Sequence, residues 1–229
     1  MTPLLVLIFG IHPITAVGTD LLYAAVTKTG TLVHHRRETI DWQVTRRLAT
    51  GSSPAAIVTL IVLYKLGVGG GTSPPLITIM LACALIMTAI CVLAHRKLRM
   101  VMLARRSEPD RRSVVICTIG AGIILGVLVT LSSVGAGAIG MTALVLLYPG
   151  TPIAKLVGSD IAHAVPLTLV AGIGHWLLGS VNWFLLLSLL LGSLPGIYLG
   201  SHFAARVPDM ILRPVLAATL LAVGVRMLG

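Results

Sequence analysis

The sequence predicts an all-α protein: a polytopic membrane helix bundle made of two inverted repeats with broken helices. Three observations support this prediction. The chain is 56% hydrophobic and only 10% charged, whereas a soluble domain carries about 25% charged residues. Its apolar residues fall into runs of about 20 residues, the length at which a helix crosses a bilayer. A short polar motif also occurs twice, at positions 140 residues apart.

The apolar runs define the expected elements. Seven runs are long enough to span a membrane: 14–34, 42–66, 75–95, 113–133, 152–177, 182–202 and 209–228. Two shorter runs, 1–12 and 139–150, end in breaks rich in glycine and proline. Such breaks are tolerated at membrane depth only where the backbone is buried in protein or lines a water-filled cavity. We therefore expect these short runs to be parts of broken helices.

Basic residues set the predicted orientation. Loop 95–112 carries seven Lys and Arg residues against two acids, and loop 34–47 carries four arginines. Both loops are predicted to be cytoplasmic, because Lys and Arg collect on that side. Run 14–34 then ends inside and run 152–177 ends outside, so the halves are inverted, as in many transporters. The cytoplasmic loops predicted by this topology account for the net charge of +10. Nucleic-acid binding is not expected, because only 4% of the residues are aromatic and such binding usually uses aromatic residues for stacking.

The repeat divides the chain into three parts. We expect a first repeat over 1–95, a basic cytoplasmic loop over 96–112 and a second repeat over 113–229. The second repeat begins with a glycine-rich stretch, Ser132–Gly140, whose counterpart would precede Met1. The repeat therefore predicts that the first half lacks its lead-in helix and a glycine-rich loop.

The duplicated motif contains an acid in each half. It reads Val17-Gly18-Thr19-Asp20 in the first half and Val157-Gly158-Ser159-Asp160 in the second. An acid inside a membrane is costly and usually functional. Two at matching positions predict one central site near the middle of the bilayer, where the halves meet. The alternative is that each aspartate caps the helix that follows it.

Four further residues are candidates for this site. Lys28 follows Asp20 by a little over two helical turns, on a similar face; it would attract an anion, or its ammonium would reach the interface. His163, one turn after Ser159, is either a proton carrier or a hydrogen-bonded core residue. Gly137 and Gly140 precede a broken helix. They would let positive helix ends face an anion, or allow close helix packing.

The motifs resemble those of the sulfite exporter TauE/SafE family. The resemblance rests in the first half on Met-Thr-Pro-Leu-Leu at 1–5, His12-Pro13, residues 16–23 and Thr27-Lys28. In the second half it rests on residues 133–141 and 158–163. It implies a multi-pass protein of the bacterial inner membrane. It also implies transport of sulfur-containing anions such as sulfite or organosulfonates, usually outward.

Together these features favour a secondary anion transporter in the lipid bilayer, with protons as a candidate coupling ion. The expected substrate-binding residues come from both motifs and their neighbours: Gly18, Thr19, Asp20, Lys28, Gly137, Gly140, Gly158, Ser159, Asp160 and His163. No metal or cofactor is expected, because the three cysteines and the histidines lack ligand spacing. No catalytic residue is expected either. The alternatives are an intramembrane enzyme or a non-transporting membrane assembly subunit, and the oligomeric state is open.

Overall fold

The fold is known from a computed structural model that describes residues 1–34, 40–67, 79, 82–90, 93, 111–135, 137–204 and 209–228. Most of the described residues are helical, and none of them lies in a strand. Eight helices are numbered here in chain order: α1 Thr2–Leu7, α2 Pro13–His34, α3 Trp42–Lys65, α4 Arg111–Ser132, α5 Ala138–Leu147, α6 Ile153–Leu177, α7 Trp183–Ala204 and α8 Asp209–Leu228. Residues 82–90 are also helical.

The all-helical prediction is confirmed, and the helices begin and end close to the predicted runs. Most of run 75–95 and of loop 96–112 lies outside the described residues, apart from the helical part 82–90 and the start of α4. Within the described chain, three helical segments are long and apolar enough to cross a membrane. They are Trp42–Lys65, Arg112–Ser132 and Ile153–Leu177, with mean hydropathies of 1.3, 2.7 and 1.5. The full number of spans stays a prediction.

Helices α2 and α6 pack against each other and run in opposite directions. A Cβ atom on Gly18 would lie 2.7 Å from the carbonyl oxygen of Ser180 and 3.0 Å from Cβ of His175. Further along α2, Leu22 lies against Gly172: a Cβ atom on Gly172 would be 2.7 Å from Cδ2 of Leu22. Residue numbers therefore rise along α2 as they fall along α6. The antiparallel pairing of these equivalent helices is what an inverted repeat would produce.

Helix α3 packs alongside both α4 and α6 and runs parallel to them. Added Cβ atoms on Gly122 and Gly126 of α4 would collide with the carbonyl oxygens of Leu48 and Ser52, respectively. These backbones therefore approach closely, which small residues allow in membrane helices. Helix α3 also contacts α6, where the Ser52 hydroxyl is hydrogen-bonded to the His163 ring. Helices α3, α4 and α6 thus form a parallel group, against which α2 runs antiparallel.

The two short helices each precede a long one in equivalent positions. Helices α1 and α5 end at Leu7 and Leu147, 140 residues apart, and α2 and α6 begin with the same spacing. Helices α3 and α7 begin at Trp42 and Trp183, 141 residues apart. Between α4 and α5 the backbone reverses at Ser133, with φ 57°, and at Gly135, with φ 112°. A glycine adopts the latter φ without the steric cost of a Cβ atom.

We predict that Gly122→Ala destabilises the fold, whereas Gly120→Ala does not. The added methyl group at residue 122 meets the backbone of Leu48, while nothing lies within 4 Å of a Cβ at residue 120. Overpacking of this kind costs about 1–3 kcal/mol, whereas alanine in place of an open helical glycine is neutral or favourable. The check is thermal unfolding of both variants in detergent, and equal midpoints would contradict the close approach of α3 and α4.

Candidate functional site

Asp20 and Asp160 lie inside helices and do not begin them. Each is the eighth residue of its helix, Asp20 in α2 and Asp160 in α6. Both are buried, with 4% and 6% of their surface exposed. The alternative that each aspartate caps the helix following it is therefore wrong, because no helix starts at either residue. Their burial requires partners from other elements.

Asp20 finds its partners at the start of α1. Its Oδ2 atom accepts hydrogen bonds from the backbone N–H and from the hydroxyl group of Thr2, both at 2.8 Å. The backbone nitrogen of Met1 lies 3.0 Å from the same oxygen. Asp20 thus caps the amino end of α1, where the positive end of the helix dipole favours a carboxylate. This contact gives Asp20 a structural role.

Asp160 is less completely satisfied. Its Oδ1 atom is buried and has no hydrogen-bond partner among the described residues. A Cβ atom on Gly140 would collide with this oxygen, so the carboxylate packs directly on the first turn of α5. The N–H groups of Ile139 and Gly140 already donate to the carbonyl oxygen of Gly135, at 3.0 and 3.3 Å. Asp160 therefore experiences the positive end of α5 without those two hydrogen bonds.

The two aspartates do not meet in one pocket. Because Gly18 and Leu22 lie level with His175 and Gly172, Asp20 lies near the level of residue 173 in α6. At 1.5 Å per residue, Asp160 is then about 20 Å from Asp20 along the helix pair. This separation argues against a single central site that contains both acids, and the composition of the site stays a prediction. The antiparallel packing of α2 and α6 explains this separation, since Asp20 and Asp160 each lie about one third of the way along their helix.

Lys28 lies between the two acids. It follows Asp20 by eight residues on α2, toward the level of Asp160, and its side chain is partly buried. It interacts electrostatically with Asp160 and with Asp20. In the described part of the chain, however, neither carboxylate lies within ion-pair distance of its ammonium group. The Lys28 amino group thus lies between two buried acids without direct contact to either.

His163 is part of the same neighbourhood. Its side chain is fully buried, and its Nε2 atom lies 2.8 Å from the hydroxyl oxygen of Ser52. Its Nδ1 atom has no hydrogen-bond partner among the described residues. His163 also interacts electrostatically with Lys28. The contact with Ser52 is that of a hydrogen-bonded core residue, and the free ring nitrogen leaves one position for a proton or a ligand.

The two motif hydroxyl groups link the halves of the chain. The Oγ1 atom of Thr19 accepts a hydrogen bond from the backbone N–H of Asn182, at 3.1 Å. The Oγ atom of Ser159 accepts one from the backbone N–H of Asp41, at 2.8 Å. Asp41 and Asn182 are equivalent residues that precede Trp42 and Trp183. We call these two contacts the crossed hydrogen bonds, because each connects a motif of one half to a helix start in the other.

The crossed hydrogen bonds were not expected from the sequence. The Asp41 side chain caps α3, accepting from Gln43 N–H at 3.0 Å, and the Asn182 side chain accepts from Leu185 N–H at 3.0 Å at the start of α7. The sequence feature that could have indicated these contacts is the recurrence of a polar residue before tryptophan at equivalent positions, Asp41-Trp42 and Asn182-Trp183. The Met-Thr pair also occurs twice, at Met1-Thr2 and Met141-Thr142, but this repeat did not indicate that Thr2 donates hydrogen bonds to Asp20.

The remaining predicted residues divide by location. Gly18 packs against Ser180 and His175, so its missing side chain is explained by close helix packing. Gly158 is buried beside Ser159 in α6. Gly137 is exposed and has nothing within 4 Å of an added Cβ. The structure thus groups Gly140, Gly158, Ser159, Asp160 and His163 at one level, with Lys28 approaching them, and leaves Gly18, Thr19 and Asp20 at another.

Comparison with known proteins decides the family. Residues 1–227 match the family Sulfite exporter TauE/SafE. The chain belongs to this family. This TauE/SafE chain is 33% identical over 235 residues to "Probable membrane transporter protein YjnA" of Bacillus subtilis (strain 168), covering 100% of the chain and 90% of the relative. It is 26% identical over 223 residues to "Probable membrane transporter protein YdhB" of the same organism, covering 94% and 85%. No solved structure matches significantly.

We predict that Ser159→Ala destabilises this TauE/SafE chain more than Ser188→Ala. Both serine hydroxyls donate to the carbonyl four residues earlier, at 2.7 and 2.9 Å, but only Ser159 also accepts from Asp41. Its loss leaves a backbone N–H without its partner, which costs about 1–3 kcal/mol when buried. Unfolding of the two variants in detergent measures the difference. No difference would mean that the crossed hydrogen bond contributes nothing to stability.

Proposed function

We propose that this protein is a secondary transporter that exports sulfite, or a related sulfur-containing or organosulfonate anion, across the bacterial inner membrane. One observation carries the proposal: the ammonium group of Lys28 lies between two buried acids in the α2–α6 pair without direct contact to either. A partly buried cation without a contacting counter-ion suits an anionic substrate. Membership of the TauE/SafE family supports the same chemistry.

The anion would bind near Lys28, on the side of the group formed by Gly140, Asp160 and His163. A sulfite or sulfonate oxygen would accept a charge-assisted hydrogen bond from the ammonium group, which is stronger than a bond between neutral groups. The amino end of α5 would add its positive dipole. The substrate would thus exploit charge that is already present in the bundle.

Asp160 would couple transport to protons. An anion at Lys28 competes with the carboxylate for the same positive charge, and a buried carboxylate deprived of its counter-charge is costly. Asp160 would therefore take up a proton when the anion binds and release it when the anion leaves. Asp20 would stay in place, because Thr2 already donates two hydrogen bonds to it. Protons are on this view the coupling ion, and His163 would assist their passage.

The crossed hydrogen bonds would form the two gates. Under the predicted topology, the Thr19–Asn182 contact lies toward the outside and the Ser159–Asp41 contact toward the cytoplasm. Rocking one half against the other would open one contact while the other stays closed, which is the usual form of alternating access in inverted repeats. Thr19 and Ser159 would then reach the substrate only while their own contact is open.

Counterflow of radiolabelled sulfite into proteoliposomes tests this function. Liposomes preloaded with unlabelled sulfite should accumulate the label only when they contain the protein. Thiosulfate, sulfate and sulfoacetate, added as competitors, would identify the preferred anion class. A well-folded protein that exchanges none of these anions would contradict the proposal, and formation of a chemical product in detergent would favour an intramembrane enzyme.

We predict that Lys28→Met weakens sulfite binding about tenfold or more, the effect of removing one charge-assisted hydrogen bond. Lys65→Met is the matched control, because Lys65 is exposed at the end of α3. Its counterflow should equal that of the wild type. The sulfite concentration that gives half-maximal counterflow is measured for both variants. An unchanged value for Lys28→Met would indicate that Lys28 only extends to the membrane interface and takes no part in binding.

A further inference from the structure

A second basic site lies away from the α2–α6 pair, in a surface cleft on α3 and α4. The cleft has a volume of about 370 Å³ and is lined by Arg47, Arg112, Val115 and Ile116. None of these residues belongs to the group around Lys28. Two arginines beside two aliphatic side chains form a surface that is positively charged at one point and apolar at another.

The Arg47 side chain is held in place at this cleft. Its Nη1 atom donates a hydrogen bond to the Tyr148 hydroxyl at 3.2 Å, and the Thr118 hydroxyl lies 2.9 Å from the same oxygen. These contacts fix the guanidinium without neutralising it. Over the described ranges, no carboxylate lies within ion-pair distance of Arg47 or of Arg112. Within the part of the chain that the structure describes, no acid thus balances the two guanidinium groups, and an anion would do so.

The apolar wall indicates what kind of anion fits. Ile116 is 70% exposed and Val115 is partly buried, so both present aliphatic surface beside the arginines. A small hydrophilic anion gains nothing from such a wall. A ligand with an anionic head and an apolar tail would contact both parts, because burial of aliphatic surface is itself favourable.

The position of the cleft fits the same ligand. Arg112 is the second residue of α4 and Arg47 the sixth of α3. Both helices start next to basic loops that the sequence predicts to be cytoplasmic. Anionic phospholipids concentrate in the cytoplasmic leaflet, and basic pockets between membrane helices on that side bind their headgroups.

We propose that this cleft binds an anionic phospholipid. The phosphodiester would lie between Arg47 and Arg112, where arginine offers paired N–H donors to phosphate oxygens, and an acyl chain would run along Val115 and Ile116. This proposal is independent of the transported anion, because it concerns a different face of α3.

Native mass spectrometry of the full chain tests it. The protein in detergent is titrated with phosphatidylglycerol or with zwitterionic phosphatidylcholine, and the lipid-bound fraction is recorded. We expect phosphatidylglycerol to bind more tightly, and Arg112→Gln to reduce its affinity about fivefold, the effect of one basic residue near a charged lipid surface. Arg46→Gln is the control. Arg46 is exposed, its Nε donates to the Trp42 carbonyl oxygen at 3.2 Å, and it does not line the cleft.

Two further measurements distinguish binding of a lipid from binding of a small anion. Ile116→Ser should also weaken phosphatidylglycerol binding, whereas inorganic phosphate and sulfite should not displace the lipid at millimolar concentration. Equal binding of the two lipids would overturn the proposal, as would equal effects of Arg46→Gln and Arg112→Gln. Displacement by phosphate or sulfite, with no effect of Ile116→Ser, would instead assign the cleft to a small anion.

Discussion

The structure depends on how a nearly apolar bundle accommodates buried charge. Asp20 is satisfied by Thr2 at the start of α1, whereas Asp160 keeps a buried oxygen without a partner among the described residues. Lys28 balances both from a distance. Because an uncompensated buried charge is strongly destabilising, a change at Lys28 affects the carboxyl group of Asp160 more than that of Asp20. The proposed coupling of transport to protons depends on this difference.

The two halves share a geometry but differ in chemistry. Thr19 and Ser159 make equivalent crossed hydrogen bonds, and both acids lie beside the short helix of their own half. Among the described residues, only the second half has a buried acid with an unpartnered oxygen. Lys28 has Thr168 as its counterpart, so the cation is not duplicated. The crossed hydrogen bonds are thus equivalent in the two halves, whereas the residues at positions 28 and 168 are not.

Much of the fold could be predicted from the sequence, because apolar runs and glycine–proline breaks determine helix bounds locally. The duplicated motif also located the buried acids. Their separation was missed, although antiparallel packing of two helices places residues one third of the way along each at different levels. The contacts of Ser52 with His163 and of Arg47 with Tyr148 could not be predicted, since they join residues 111 and 101 positions apart. They depend on which helix faces pack together, which a single sequence does not specify.

Proton uptake on anion binding tests the central claim most directly. Sulfite is titrated calorimetrically into the wild-type protein and into Asp160→Asn, each in two buffers of different ionisation enthalpy. Subtracting the proton uptake of the variant from that of the wild type cancels the contribution of protons bound by sulfite itself. If the bound anion takes the place of Asp160 in balancing the charge of Lys28, the wild type takes up about one more proton per bound anion than the variant. Equal proton uptake by the two proteins, with sulfite bound to both, would contradict the proposed protonation of Asp160 on anion binding.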